Sequence, residues 1–295
     1  MNPEPRHLIL NLLLGAADRR LAAREAVVAC ALFGIRENSV RVTLARLSAA
    51  GLLEAADRGE YRLGPGAAQL ADEVAIWRSA ESRVRNWDGA WIVAYVGDLG
   101  RSNRVALRAR ARALGMLGLR ELDRGLFLRP DNLAGGVEAV RERLLRLGLQ
   151  SEAAVFVAHD FDSIRAQRAV ALWNGRALTL AYRETRARLE GWLARAGALA
   201  LEVAARESFV LGDAAIRQLV FDPLLPAPLI DVDARRDFLG AVLRFDAAGH
   251  AIWHRFLRDG TGRRASTRVR PASDRVRPAR GAPRAAPTAT LEIAS

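Results

Sequence analysis

The stretch that decides the fold of this 295-residue chain is Phe33–Leu53, FGIRENSVRVTLARLSAAGLL. Val40, Leu44 and Leu47 recur at helical spacing, and Leu52 follows just past Gly51. They form the face on which a helix from Asn38 to Ala50 packs against two earlier helices. Gly34 before it and Gly51 after it are positions where the left-handed C-cap conformation ends a helix. Opposite the apolar face, Ser39, Arg41, Val42, Thr43 and Arg46 project outward, with Arg36 and Asn38 at the start. Short side chains let such a helix enter a DNA major groove, and arginine donates two bonds to guanine O6 and N7. No carboxylate occurs between Asn38 and Ala50.

Working outward, Pro5–Gly15 carries Leu8, Ile9, Leu12 and Leu13 at helical spacing, and Ala22–Phe33 predicts a second helix. Beyond Gly51, Leu52–Leu53 and Tyr61–Leu63 flank the turn Asp57-Arg58-Gly59, which predicts a hairpin. Arg58 and Arg62 in it are placed to grip phosphates flanking a base-reading helix. Residues 1–66 are therefore expected to form a winged helix-turn-helix.

Gly64-Pro65-Gly66 breaks the pattern, and residues 67–86 are expected as a connecting helix over Ala67–Val84. Residues 87–162 then alternate a strand (Ala90–Val96), a helix (Arg101–Gly118), a hairpin (Leu119–Arg129), a helix (Val137–Leu147) and a strand (Ala153–Asp160). That βαββαβ order predicts a ferredoxin-like domain. Residues 163–258 are mostly helical. Residues 259–295 hold eight arginines against three acids among Pro, Ala, Gly and Ser, and are expected as a disordered tail. The fold class expected is α+β in three domains.

Composition agrees with a nucleic-acid partner. The net charge is +12, every basic residue other than histidine is arginine, and 51% of residues are apolar. The single cysteine, Cys30, lies in an apolar run and excludes an internal disulfide or a multi-thiolate zinc site. No apolar stretch reaches membrane-spanning length, no secretory layout opens the chain, and a cytoplasmic location without a membrane is expected. His7, His159, His250 and His254 include one helical pair, His250/His254. It lacks the glutamate of a zinc-protease helix. No metal, cofactor or catalytic residue is expected. A nuclease would need an acid at the end of the first central strand, where Val96 stands, with Asp98 two residues later. A protein-interaction module is the other alternative to DNA reading.

Further segments carry a resemblance. Trp87-Asp88-Gly89-Ala90-Trp91, Leu126–Pro130 (LFLRP) and Phe221-Asp222-Pro223-Leu224-Leu225-Pro226 follow the N-terminal helices in order. With them the chain, over about residues 6–257, resembles the PaaX family of repressors of phenylacetate-degradation operons. Its reading helix also resembles that of GntR-type regulators. The resemblance implies a homodimeric repressor of a catabolic operon, bound to double-stranded operator DNA and released by an acyl-CoA such as phenylacetyl-CoA. Ala227–Asp233 departs from the proline- and tryptophan-containing segment that members carry there. For an acyl-CoA, Arg101, Arg104, Arg108 and Arg112 recur at helical spacing as a candidate phosphate grip. Trp87 and Trp173, with Trp77, Trp91 and Trp192, are candidates to line an acyl slot.

Overall fold

A computed structural model describes residues 3–16, 18–100 and 102–267, and it is mixed helix and sheet. The N-terminal unit comprises α1 (Pro5–Gly15), β1 (Arg20–Ala22), α2 (Ala23–Ala31), α3 (Glu37–Ala49), β2 (Leu53–Asp57) and β3 (Glu60–Leu63). Leu8, Ile9, Leu13, Val27, Cys30, Val40, Leu44 and Leu47 close its core, as their helical spacing predicts. Burial pushes the Cys30 thiol up to about 11, so it remains an unreactive apolar filler. The expected hairpin has a third strand beside it. β1 pairs with β3 through Leu21 and Tyr61, giving the order β1-β3-β2.

The connecting helix is shorter than its apolar pattern predicts. α4 (Pro65–Ala75) gives way to two 3-10 turns, Ile76–Ser79 and Glu81–Arg83. Here backbone pairing wins: Ala134 N–H donates to Arg83 O, Arg85 N–H to Asn132 O, and Val84 bridges Leu133.

The central sheet follows in the order β4 (Trp91–Tyr95), α5 (Arg104–Met116), β5 (Arg120–Asp123), β6 (Leu126–Pro130), α6 (Gly136–Arg146), β7 (Ala154–Ala158). Its strands lie β5-β6-β4-β7, all antiparallel, with Val93 opposite Leu128 on one side and Phe156 on the other. Residues 91–94 of β4 are all buried because both faces of the sheet are covered. Ile92 and Ala94 pack with Ala113 and Leu114 of α5 and with Val140 and Leu144 of α6. Trp91 and Val93 pack the other way, toward the C-terminal helices.

Those helices are α7 (Ser163–Val170), α8 (Gly175–Arg195), α9 (Leu201–Val220) and α10 (Val232–Thr267). Tyr182, Trp192, Phe238 and Phe245 fill the space between α8 and α10. α10 runs past residue 258, where a disordered tail was expected. Tertiary packing overrides composition there: Phe256 joins Val28 and Ala205, and a Cβ at Gly260 would stand 2.6 Å from Val28 Cγ1. The rest of the expected tail, 268–295, lies outside the described residues.

Two buried guanidinium groups join the sheet to the helices. Arg129, 2% exposed, donates to Leu117 O at 2.5 Å, Asn132 Oδ1 at 2.9 Å, Pro130 O at 3.1 Å and Pro223 O at 3.3 Å. Burial lowers its pKa to about 9, which leaves it charged at neutral pH. Arg235, 1% exposed, donates to Glu81 Oε1 at 2.7 Å and Leu225 O at 2.6 Å.

Between them Asp222 accepts the Leu224 N–H at 2.7 Å. Burial holds its carboxyl above the ordinary range, against the opposing pull of the Tyr182 hydroxyl, the Leu224 N–H and Arg235. A raised carboxyl pKa favours the folded state below the ordinary carboxylate pKa. That contribution is lost as pH rises through the folded value. Asp222→Asn keeps an oxygen for the Leu224 N–H but cannot ionise. Its stability relative to wild type should therefore improve from about pH 4 toward neutrality, measured as paired urea midpoints. An unchanged difference across that range contradicts a raised Asp222 pKa.

Candidate nucleic-acid interface

Helix α3 is set by its apolar side. Val40 is 0% exposed, Leu44 2% and Leu47 3%, and they fix which residues turn outward. Gly34, at φ +74°, turns the chain between α2 and α3. Gly51, at φ +68°, ends α3 and lets Leu52 N–H return to Leu47 O.

Arg36, Asn38, Ser39, Arg41, Val42 and Arg46 are all exposed, and Thr43 is half-buried. The Thr43 hydroxyl donates to Ser39 O at 2.7 Å, so its hydrogen is committed within the helix. Val42, 41% exposed, is an apolar side chain turned to solvent, suited to a thymine methyl. Among the described residues Arg36, Arg46 and Arg58 make no ion pair or side-chain hydrogen bond.

The interface also holds acids that the sequence reading did not weigh. Arg41 Nε and Nη2 both donate to Glu37 Oε1, at 3.0 and 2.7 Å. The four-residue spacing of Glu37 and Arg41 was the available signal. In the hairpin Arg62 donates to Glu54 at 2.6 Å, and Arg20 of β1 to Glu60 at 3.1 Å. Arg62 and Arg20 face each other across β1 and β3, and these two carboxylates offset their repulsion. Arg58 sits exposed at the hairpin turn, where Asp57 accepts its backbone N–H at 2.6 Å.

The residues expected to grip an acyl-CoA are not brought together. Arg104 and Arg108 are exposed on α5, which covers one face of the central sheet. Trp87 and Trp173 lie on the opposite face, against Trp91 with ring centroids 5.2 and 6.1 Å away. Helical spacing placed the arginines on one side of α5 but could not say which sheet face α5 would cover. Arg101 lies outside the described residues. Asp98, the acid weighed for nuclease chemistry, accepts the Tyr95 hydroxyl at 3.2 Å. No helix among the described residues is long and apolar enough to cross a membrane.

Comparison with known proteins adds the following. Residues 173–255 match the family model described as the PaaX-like protein C-terminal domain, which supports the resemblance read from the sequence. That family is one of regulators of phenylacetic acid catabolism. Among solved structures, an uncharacterized protein of Mycobacterium tuberculosis, Rv0674, is similar. It has 27% identity and a TM-score of 0.51, over 90% of this chain and 99% of its own. No curated protein matches.

The two sides of α3 should separate on substitution. Leu44→Ala should lower stability by about 3 kcal/mol through a core cavity, whereas Arg46→Ala should change it by less than about 0.5 kcal/mol. Urea unfolding of both variants checks this, and equal losses would mean that Arg46 is a packing residue.

Proposed function

We propose that the chain is a DNA-binding transcriptional repressor of a catabolic operon, with residues 1–66 a winged helix-turn-helix. The observation that carries this is the outward face of α3. Arg36, Asn38, Ser39, Arg41, Val42 and Arg46 stand exposed there beside a hairpin bearing Arg58 and Arg62. The PaaX-like match at 173–255 supports a regulator built around that reader. The order βαββαβ and the strand arrangement β5-β6-β4-β7 support reading residues 87–162 as ferredoxin-like. We assign 67–86 to the connector and extend the helical C-terminal domain from 163 to 267, the end of α10.

In this reading α3 lies in the major groove. Arg46 and Arg41 contact base edges or phosphates, Val42 a thymine methyl, and Arg58 and Arg62 the flanking backbone. A helix-turn-helix reader gains affinity by presenting two copies to half-sites one helical turn apart, so the functional unit is a homodimer on a pseudo-palindromic operator. An acyl-CoA of the phenylacetyl type is the effector that releases it, and the chain works in the cytoplasm without catalysis.

Selection from random-sequence duplexes tests the reading: a reader enriches a motif, and enrichment of none would sink it. On the selected site, Arg46→Ala should cost about 1–3 kcal/mol, roughly five- to 150-fold in Kd, at matched salt. Glu37→Gln should act in the opposite direction. It frees Arg41 from its carboxylate and removes a negative charge from the interface. Affinity should rise and the slope of log K against log salt should steepen by about one phosphate contact. Fluorescence anisotropy over a salt series reads both, and weaker binding by Glu37→Gln would mean that Arg41 must be held by Glu37 to reach DNA.

A further inference from the structure

The solvent side of α5 carries charge that its surroundings leave unanswered. The helix reads RVALRARARALGM and holds no carboxylate. Arg104, Arg108 and Arg112 recur every four residues along it, all exposed. Among the described residues none of the three makes an ion pair or a side-chain hydrogen bond. We propose that this stripe is a second, sequence-independent contact for duplex DNA, holding a segment other than the one under α3. It rests on the reading of the chain as a DNA binder and adds a surface that this reading does not contain.

Neighbouring acids do not cancel the stripe. Residues 96–119 and 131–153, which form this layer, hold eight arginines and five carboxylates. Asp131 is buried against Arg85, while Glu138 and Glu142 pair with Arg141 and Arg146 of their own helix. Asp98 accepts the Tyr95 hydroxyl and Glu152 the Ser151 hydroxyl. The stripe is also held firmly. Arg110, on the inner side of α5 and 6% exposed, donates to Gly100 O at 3.2 Å and Gln150 Oε1 at 3.0 Å. It thus ties the loops on either side to the helix. Asn103 Oδ1 caps the first turn through Val105 N–H and Ala106 N–H.

The chemistry of this face selects a phosphate backbone. Arg104 to Arg112 spans about 12 Å, the rise of three to four phosphates of one strand at about 3.4 Å each. Between and beyond the arginines stand Ala111, which is exposed, and Gly115, where a Cβ would meet nothing within 4 Å. Such small groups let a backbone lie close. The face has no aromatic ring on which an unpaired base could stack and no amide to read a base edge. It also lacks the apolar centre of a protein interface, Val105 being its one large exposed hydrophobic.

Position separates this contact from the reader. Helices α5 and α6 cover one face of the central sheet, and the C-terminal helices cover the other. The N-terminal unit rests on those C-terminal helices through Phe209 and Trp253. The sheet and a helical layer therefore stand between α5 and α3, and a duplex along α5 is a separate segment. A chain with both contacts joins two stretches of DNA, one chosen by sequence and one by charge.

The test holds the full chain on a bead-tethered duplex carrying the selected site and measures capture of a labelled duplex of random sequence. Arg104→Gln, Arg108→Gln and Arg112→Gln together should lower capture at least fivefold, with retention on the tethered site within twofold and circular dichroism unchanged. Arg165→Gln, Arg183→Gln and Arg195→Gln, which remove as many charges from carboxylate-paired positions, should leave capture within twofold. Over a salt series the slope of log capture constant against log salt should be about −2.7, for three phosphate contacts. The proposal is overturned if wild type captures no second duplex, if the α5 variant captures as wild type, or if the charge-matched variant loses as much. Capture of labelled polyglutamate but not of duplex would assign the face to acidic protein and overturn it too. If selection yields no site, the labelled duplex is titrated onto the free chain. Loss of binding in the α5 variant but not in Arg46→Ala then upholds the α5 contact while sinking the α3 reading, and unchanged binding by the α5 variant overturns it.

Discussion

Burying a guanidinium costs several kcal/mol unless its N–H groups find acceptors. Arg129 and Arg235 are two such groups, and the architecture follows from how they are satisfied. Arg129 takes carbonyls from the end of α5 and from Pro223, while Asn132 donates to Leu224 O at 2.7 Å. Arg235 takes Leu225 O and the Glu81 carboxylate. The segment 222–226 is thereby fixed against the central sheet. That segment joins α9 to α10, so both helices leave it in set directions. Those helices carry Phe209, Trp253 and Phe256, on which the N-terminal unit rests. A polar contact in the middle of the molecule thus decides where α3 stands.

Much of this was legible in the sequence because periodicity records burial. Val40, Leu44 and Leu47 gave the inward face of α3 and, by subtraction, its outward one. The alternation of strands and helices through 87–162 was equally visible, since β4 is an unbroken apolar run between polar turns. Three features were not visible, each for a physical reason. Strand β1 has only three residues, too few for a period, and exists because β3 offers it an edge. The end of α10 is rich in Gly and Arg, and its helix is held by Val28 and Ala205 of distant elements. Arg104 and Arg108 share a side of α5 by spacing, but which sheet face α5 covers, and so their separation from Trp87 and Trp173, is set only by the tertiary fold.

Charge is also organised by the fold rather than by its total. Arginines such as Arg41, Arg62, Arg165 and Arg186 are matched to carboxylates on the same or adjoining elements. Exposed pairs of this kind contribute little to stability, but they cancel the local field. What a polyanion would meet is set by the arginines without such partners; Arg36, Arg46 and Arg58, at α3 and its neighbouring hairpin, are among them, as are Arg104 and Arg108 on α5.

Helix α10 has a mechanical consequence. Its 36 residues make a rod of about 54 Å at 1.5 Å per residue. One end is anchored by Arg235 beside the sheet, the other lies against α2 with Gly260 in contact with Val28. Such a rod works as a lever arm. From Arg235 to Gly260 the rod is about 38 Å long, so a tilt of about five degrees at the anchored end moves the Val28 contact by roughly 3 Å.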